Sequence, residues 1–310
     1  MAVGAARAQE NQNSDGTGIE LLPVQGTVYL LAGAGGNITV QAGKEGVLLV
    51  DTGSAQFSDQ ILAAVRKISE MPLRVIINTS VDPDHVGGNQ TIGRTGMVVE
   101  GAVVGFNAQD VQRGAQIIAH ENTYNRMNGV LGGKTSYPQT AWPSDPFHAS
   151  PKKLFSNDEG IEIIHVPAAH TDGDSIVFFR RSDVISAGDI LDTTRYPVID
   201  IARGGNVQGI IDGLNLILDL TIAKQEVEGG TYVIPGHGRI CDQFDVLEYR
   251  DMVVIIRDRI ENLIKKGKTL EEIKASKPTE DYEARYGANS GSWTTDNFID
   301  AVYKSLLPAK

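Results

Sequence analysis

Ile77-Asn78-Thr79-Ser80-Val81-Asp82-Pro83-Asp84-His85-Val86-Gly87-Gly88-Asn89 carries the most decisive chemistry in this 310-residue chain. Three metal-capable side chains, Asp82, Asp84 and His85, fall within four residues, directly after the apolar, strand-like run Leu73–Asn78. A loop leaving the end of a buried strand is a common seat for catalytic ligands. One carboxylate beside one imidazole suits zinc or another first-row divalent metal. Taken alone, Asp-Pro-Asp also makes an ordinary turn.

The same grammar recurs downstream. His170 lies in H-V-P-A-A-H-T-D-G-D after the apolar run Gly160–Val166. Asp189 lies in S-A-G-D after Asp183–Ser186, and His237 in P-G-H-G after Thr231–Pro235. Four loops that each present a metal-capable residue just past a strand are a constellation rather than a coincidence.

The ordered set T-S-x-D-x-D-H-x-G-G-N, H-T-x-G-D, G-D and P-G-H-G resembles the metallo-β-lactamase superfamily, over about Leu21 to Asp242. The resemblance implies a four-layer αββα sandwich of the α/β class, with two mixed β-sheets flanked by helices. It implies two neighbouring metal sites bridged by Asp189. Asp84, His85, Asp189 and His237 complete the second site. The first site departs from the family's H-x-H-x-D-H, because Ser80 and Asp82 stand where two histidines are expected. It keeps His170, with Asp82 either as a ligand or as a carboxylate orienting one. Ser80 is read as a non-ligand that leaves room for water. A serine nucleophile there lacks an identifiable base.

Losing imidazoles makes the first site harder and richer in oxygen. The preferred expectation is one zinc in the second site. Two unlike metals, with Mn2+ or Fe2+ in the first site, and a site without turnover are the alternatives. The implied activity is a metal-dependent hydrolase using metal-bound hydroxide on an acyl-type bond: lactam, lactone or thioester. Asp84, His85 and His170 are the expected catalytic residues. Phosphodiesters and sulfate esters are also represented in the family. The competing readings are a non-hydrolytic iron enzyme and a metal-binding protein of the same fold that has lost turnover.

Bulk properties bound these readings. Net charge is −11, pI is about 5.0, and 41% of residues are hydrophobic, enough for a sizeable core. An acidic chain is a poor partner for nucleic acid, so a small-molecule substrate is expected. No apolar run is long enough to span a membrane. The only cysteine, Cys241, excludes an intramolecular disulfide and reads as a small buried residue rather than a ligand. Met1–Gln9 carries a small-x-small Ala6-Arg7-Ala8 without a preceding apolar segment. It is either a signal-peptide remnant, which implies a periplasmic or secreted protein, or an Ala-rich start. The polar run Glu10–Gly18 extends this lead-in, so residues 1–20 are set apart from one domain over 21–310.

Along the chain, strands are expected at Thr27–Ala32, Asn37–Ala42 and Gly46–Val50, then an amphipathic helix at Ser58–Glu70. Another strand is expected within Thr91–Val104, a helix carrying His120 over Ala108–Met127, and a loop over Gly129–Ser150. Helices are expected at Ile210–Leu220, Leu247–Lys266, Thr269–Ala275 and Asp296–Leu307, the last three forming a helical extension over about 243–310. Tyr137, Trp142 and Tyr196 are candidates to line the pocket. His120, His148 and His165 read as structural or surface groups.

Overall fold

A computed structural model describes residues 18–97, 114–131, 137–148, 150–224 and 229–308. The leader-like Met1–Gln9 and nearly all of Glu10–Gly18 lie outside the described residues. So does the second half, residues 98–104, of the strand expected at Thr91–Val104.

Seven strands form the first sheet, in spatial order β1 (Glu20–Gln25), β2 (Val28–Ala34), β3 (Gly36–Gly43), β4 (Gly46–Val50), β5 (Leu73–Ile77), β6 (Gln116–His120) and β7 (Asp145–Phe147). β1 to β4 are antiparallel neighbours, while β4 through β7 run parallel. Helix α1 (Ser58–Ile68) makes the crossover from β4 to β5. The ligand loop after β5 contains two short helices, α2 (Pro83–Val86) and α3 (Asn89–Gly93), and α4 (Glu121–Met127) follows β6.

The second sheet holds β8 (Lys152–Ser156), β9 (Glu159–His165), β10 (Ser175–Phe179), β11 (Val184–Asp192) and β12 (Tyr232–His237), in the order β12-β11-β10-β9-β8. Its pairs are antiparallel except β11 with β12. Helix α5 (Val207–Leu220) connects those two. The chain ends in α6 (Gln243–Lys265), α7 (Leu270–Ala275), α8 (Glu283–Tyr286) and α9 (Thr295–Leu306).

The two-residue period of a strand sends neighbours to opposite faces, and this builds the layers. Leu30, Leu48, Val50 and Ile77 meet Ile161, Ile163, Val177 and Phe179 between the sheets. Their neighbours Leu31, Leu49 and Ile76 point outward, under Ile61 and Val65 of α1. Ile176 and Ile185 on the far face of the second sheet pack under α5, α6 and α9. The result is the αββα sandwich that the resemblance implied. Strands buried on both faces read as continuous apolar runs, as Gly46–Val50 does. Because β4, β5, β11 and β12 belong to parallel pairs, their C-terminal ends present loops at one rim.

Several elements differ from the sequence expectation. Gln116–His120 is a strand, not part of a helix, and α4 begins only at Glu121. Ile117 faces α1 while Ile118 faces the second sheet, so burial on both faces overrides local helical preference. The first residues of the segment expected to hold a strand, 91–93, instead end the short helix Asn89–Gly93. The stretch read as loop after Gly129 contains β7, paired to β6. β11 runs through Asp189 to Asp192, so that ligand sits inside an irregular strand rather than beyond it. β1 was not anticipated. The C-terminal helices agree with the reading, and capping boxes at Asp242, Thr269 and Thr294 start three of them.

Candidate metal centre

Asp84 and His85 lie on α2, a single turn that starts cleanly because Pro83 occupies its first position and Asp82 precedes it in extended conformation. Gly87 and Gly88 let this turn sit close to the strand β4 loop. A Cβ on Gly88 would lie 2.4 Å from the Thr52 carbonyl oxygen. The backbone N–H of Thr52 donates to the His85 carbonyl at 2.8 Å, which locks the two loops together.

Asp51, at the end of β4, fixes the His85 ring. Its Oδ2 lies 2.7 Å from His85 Nδ1 and accepts from Thr79 Oγ1 at 2.6 Å, while its Oδ1 accepts from the Thr79 N–H at 2.8 Å. Asp51 is buried and holds φ at 66°, an unusual conformation for a residue with a side chain. With Nδ1–H given to Asp51, the Nε2 lone pair of His85 points into the centre.

Asp189 spans two groups of ligands. Its Oδ1 lies 3.0 Å from His85 Nε2 and 3.4 Å from His237 Nε2, and its Oδ2 lies 3.6 Å from His170 Nε2. His237 Nε2 is also 3.4 Å from Asp84 Oδ2. The donor atoms of Asp84, His85 and His237 all fall within 4.8 Å of one another, as do those of Asp82, His170 and Asp189. These are two candidate metal clusters sharing Asp189 as the residue between them.

Both histidine-carboxylate groupings perturb protonation. Burial, the largest influence on His85, pushes its pKa down, but the charges of Asp189 and Asp51 hold it well above its ordinary value. His237 is likewise lowered by burial yet lifted to about 9 by hydrogen bonds to Asp189 and Asp84. Asp189 is raised by burial and pulled well below the carboxylate range by His85 and His237. Such carboxylate-imidazole clusters are suited to sharing a cation.

The first cluster is built differently. His170 Nδ1 donates to the Val198 carbonyl at 2.9 Å, and its Nε2 meets Asp82 Oδ2 in a short contact. Asp82 Oδ1 accepts from Arg203 Nη1 at 2.5 Å, and Arg203 Nε donates to Asp200 Oδ2 at 2.6 Å. Ser80 is buried, and its Oγ accepts from the Asp82 N–H at 3.4 Å, a local turn contact.

The clusters open into a cavity of about 400 Å³. Its other walls are Asp192, Arg195, Val198, Arg203 and Trp293. Tyr196 is not among them. It is 1% exposed, stacked on Phe298 at 4.8 Å, and donates to the Thr279 carbonyl, because it anchors α9 to the second sheet. Tyr137 and Trp142 are loop anchors: the Tyr137 hydroxyl donates to the Val81 carbonyl at 2.9 Å, and Trp142 Nε1 donates to the Tyr137 carbonyl. Cys241 is buried, and burial pushes its thiol up to about 12, as fits a packed, inert side chain. The His120 and His165 rings stack on each other with centroids 3.5 Å apart, and neither lines the cavity.

All six ligand candidates read from the sequence therefore reach one rim. Sequence reasoning missed Asp51, although Asp-Thr-Gly after a strand was visible, and it missed Arg203, Asp200 and Trp293, whose positions gave no local signal. A donor set of two carboxylates and two imidazoles fits a first-row divalent metal by its nitrogen and oxygen chemistry. Asp51 behind His85 supplies the orienting hydrogen bond such ligands require.

The sequence profile of the metallo-beta-lactamase superfamily matches residues 31–237, and the chain belongs to that superfamily of metallo-hydrolases. The linear primary-alkylsulfatase of a Pseudomonas species is 23% identical over 256 residues, covering 74% of this chain and 47% of that enzyme. The stereoselective inverting sec-alkylsulfatase Pisa1 from Pseudomonas sp. superimposes with a TM-score of 0.67 at 16% identity, over 92% of this chain and 50% of that one. A metallo-beta-lactamase from Pontibacter korlensis gives 0.56 at 15% identity, over 76% of this chain and 98% of that one. The chain thus spans about half the length of the alkylsulfatases it matches. Among the described residues, no helix is long and apolar enough to cross a membrane.

Proposed function

We propose that this chain hydrolyses a small, negatively charged substrate, with Asp84, His85, His237 and Asp189 holding one divalent metal, zinc in the first instance. The observation that carries this reading is the convergence of those side chains from three separate loops or strand ends upon one set of donor atoms. When bound, such an ion supplies Lewis acidity, which polarises an electrophile and brings the pKa of water towards ~7.

The residues of the chain supply the remaining work. Asp84 Oδ1, the oxygen not turned towards His237, takes the proton of the attacking water. His170, held by Val198, faces the same space and orients the substrate. Arg195, paired with Asp192, and Arg203, paired with Asp82 and Asp200, place guanidinium N–H donors at the cavity wall for an anionic group. Val198 and Trp293 offer an apolar wall to the rest of the molecule.

An acyl-type bond, in a lactam, lactone or thioester, is the first reading of what is cut. A sulfate ester is the second, favoured by the two arginines and by the likeness to the linear primary-alkylsulfatase. The test assays zinc-loaded protein beside His237→Ala on a chromogenic lactam, a lactone, a thioester and a primary alkyl sulfate. Acyl turnover that falls by about 100-fold or more in the variant supports the first reading. Turnover of alkyl sulfate alone supports the second. No turnover above the variant on any of them identifies a metal-binding protein without hydrolysis. Stoichiometric iron in the purified protein would instead favour non-hydrolytic chemistry.

A further inference from the structure

We propose that the Arg203 guanidinium is the resident cation of the Asp82/His170/Asp189 cluster and sets the metal content of the chain at one ion, an inference that rests on the metal centre proposed above. Asp82 stands where an imidazole ligand is expected. Its two oxygens are divided, Oδ2 to His170 and Oδ1 to Arg203 Nη1. A carboxylate shared with a guanidinium at 2.5 Å gives less of its charge to a dication beside it, and the fixed positive charge repels that dication directly.

Arg203 is held in place for this role. It closes a turn in which Asp200 Oδ1 accepts the Arg203 N–H at 2.9 Å and Asp200 Oδ2 accepts from Nε at 2.6 Å. Arg126 Nη2 donates to the Arg203 carbonyl at 3.0 Å, and Arg126 is itself fixed by two hydrogen bonds to Asp172. The planar guanidinium therefore arrives at Asp82 from a rigid base and not as a free surface arm. Arg203 is only 28% exposed.

The other cluster has no such competitor. Among the described residues, the ion-pair partners of Asp84 and Asp189 are histidines alone. The two clusters thus differ in charge as well as in ligands. Asp82 already faces the Arg203 guanidinium, whereas Asp84 and Asp189 face histidines and are left for a dication. A substrate anion entering beside Arg203 then meets a fixed cation in place of a second metal.

Zinc per chain, counted by mass spectrometry after equilibrium dialysis, tests the assignment. The expected content is about one ion in the native chain and in Arg203→Lys, and about two in Arg203→Met, with the second ion bound at least about 100-fold more tightly than in the native chain. Thermal unfolding confirms that the variants are folded. His170→Ala provides a test independent of Arg203→Met, since it leaves the content at about one while His237→Ala abolishes it. Two ions in the native chain, one in folded Arg203→Met, or loss of the ion in His170→Ala each overturns the proposal. A native chain that takes up no zinc overturns the metal centre itself, and the inference with it.

Discussion

At the scale of single residues, the candidate centre is braced by side chains outside its ligand set. Asp51 is the clearest, since it holds the His85 ring and is braced by Thr79. Asp51→Ala is expected to weaken zinc binding by about 10- to 100-fold while the fold persists, as measured by competition with a chelating dye. Unchanged affinity would show that packing alone orients His85. The candidate ligands were legible because metal chemistry restricts residue types to a few, and because Asp84-His85 and Gly-His-Gly are local patterns. Asp51 and Arg203 were not legible, because their meaning lies in partners dozens of positions away. Asp82→His tests the supposed correspondence to the family's ligand. Because Arg203 keeps its charge at the cluster, the substitution is made in the Arg203→Met background, where it should tighten binding of the second ion; unchanged affinity for that ion would contradict the correspondence.

At the scale of elements, one misread segment shows where local pattern fails. Gln116–His120 carries Ala, Gln and Ile in a sequence that tolerates a helix, yet it lies between β5 and β7 with both faces buried. Its last residue, His120, stacks on His165 of β9 with an interplanar angle of 4°. Burial and the neighbouring His165 lower the His120 pKa from 6.5 to about 4. The unfolded chain takes up a proton near 6.5 and the folded chain resists until about 4. This contribution to stability is therefore complete above pH 6.5 and declines as pH falls towards 4. Thermal midpoints across that window should fall less steeply for His120→Phe than for the native chain. An equal slope would place the acid sensitivity elsewhere. A second element-level prediction concerns the approach of α5 to the His170 loop. A Cβ on Gly209 would lie 1.8 Å from the Ala168 carbonyl oxygen. Gly209→Ala is therefore expected to cost about 2–4 kcal/mol in denaturant unfolding and to displace His170. A neutral substitution would mean that the loop yields freely.

At the scale of the whole molecule, two sheets bring parallel strand ends to one rim, and helices seal both outer faces. The sandwich was legible in apolar runs separated by glycine turns. The edge strands β1 and β7 were not, because weak, half-buried patterns resemble loops. The C-terminal helices do more than extend the chain. Phe298 and Val302 of α9 are fully buried against Tyr196 and the α5–α6 layer, while Trp293 before α9 reaches the cavity. Phe298→Ala is expected to destabilise the chain by about 3–5 kcal/mol, read as a drop in the unfolding midpoint. The proposed metal centre places one ion among Asp84, His85, His237 and Asp189. Anomalous difference density at the zinc edge, from crystals grown with zinc, tests it most directly. A single strong peak is expected within coordination distance of those four side chains. A peak confined to Asp82 and His170, or no peak at this rim, would contradict it.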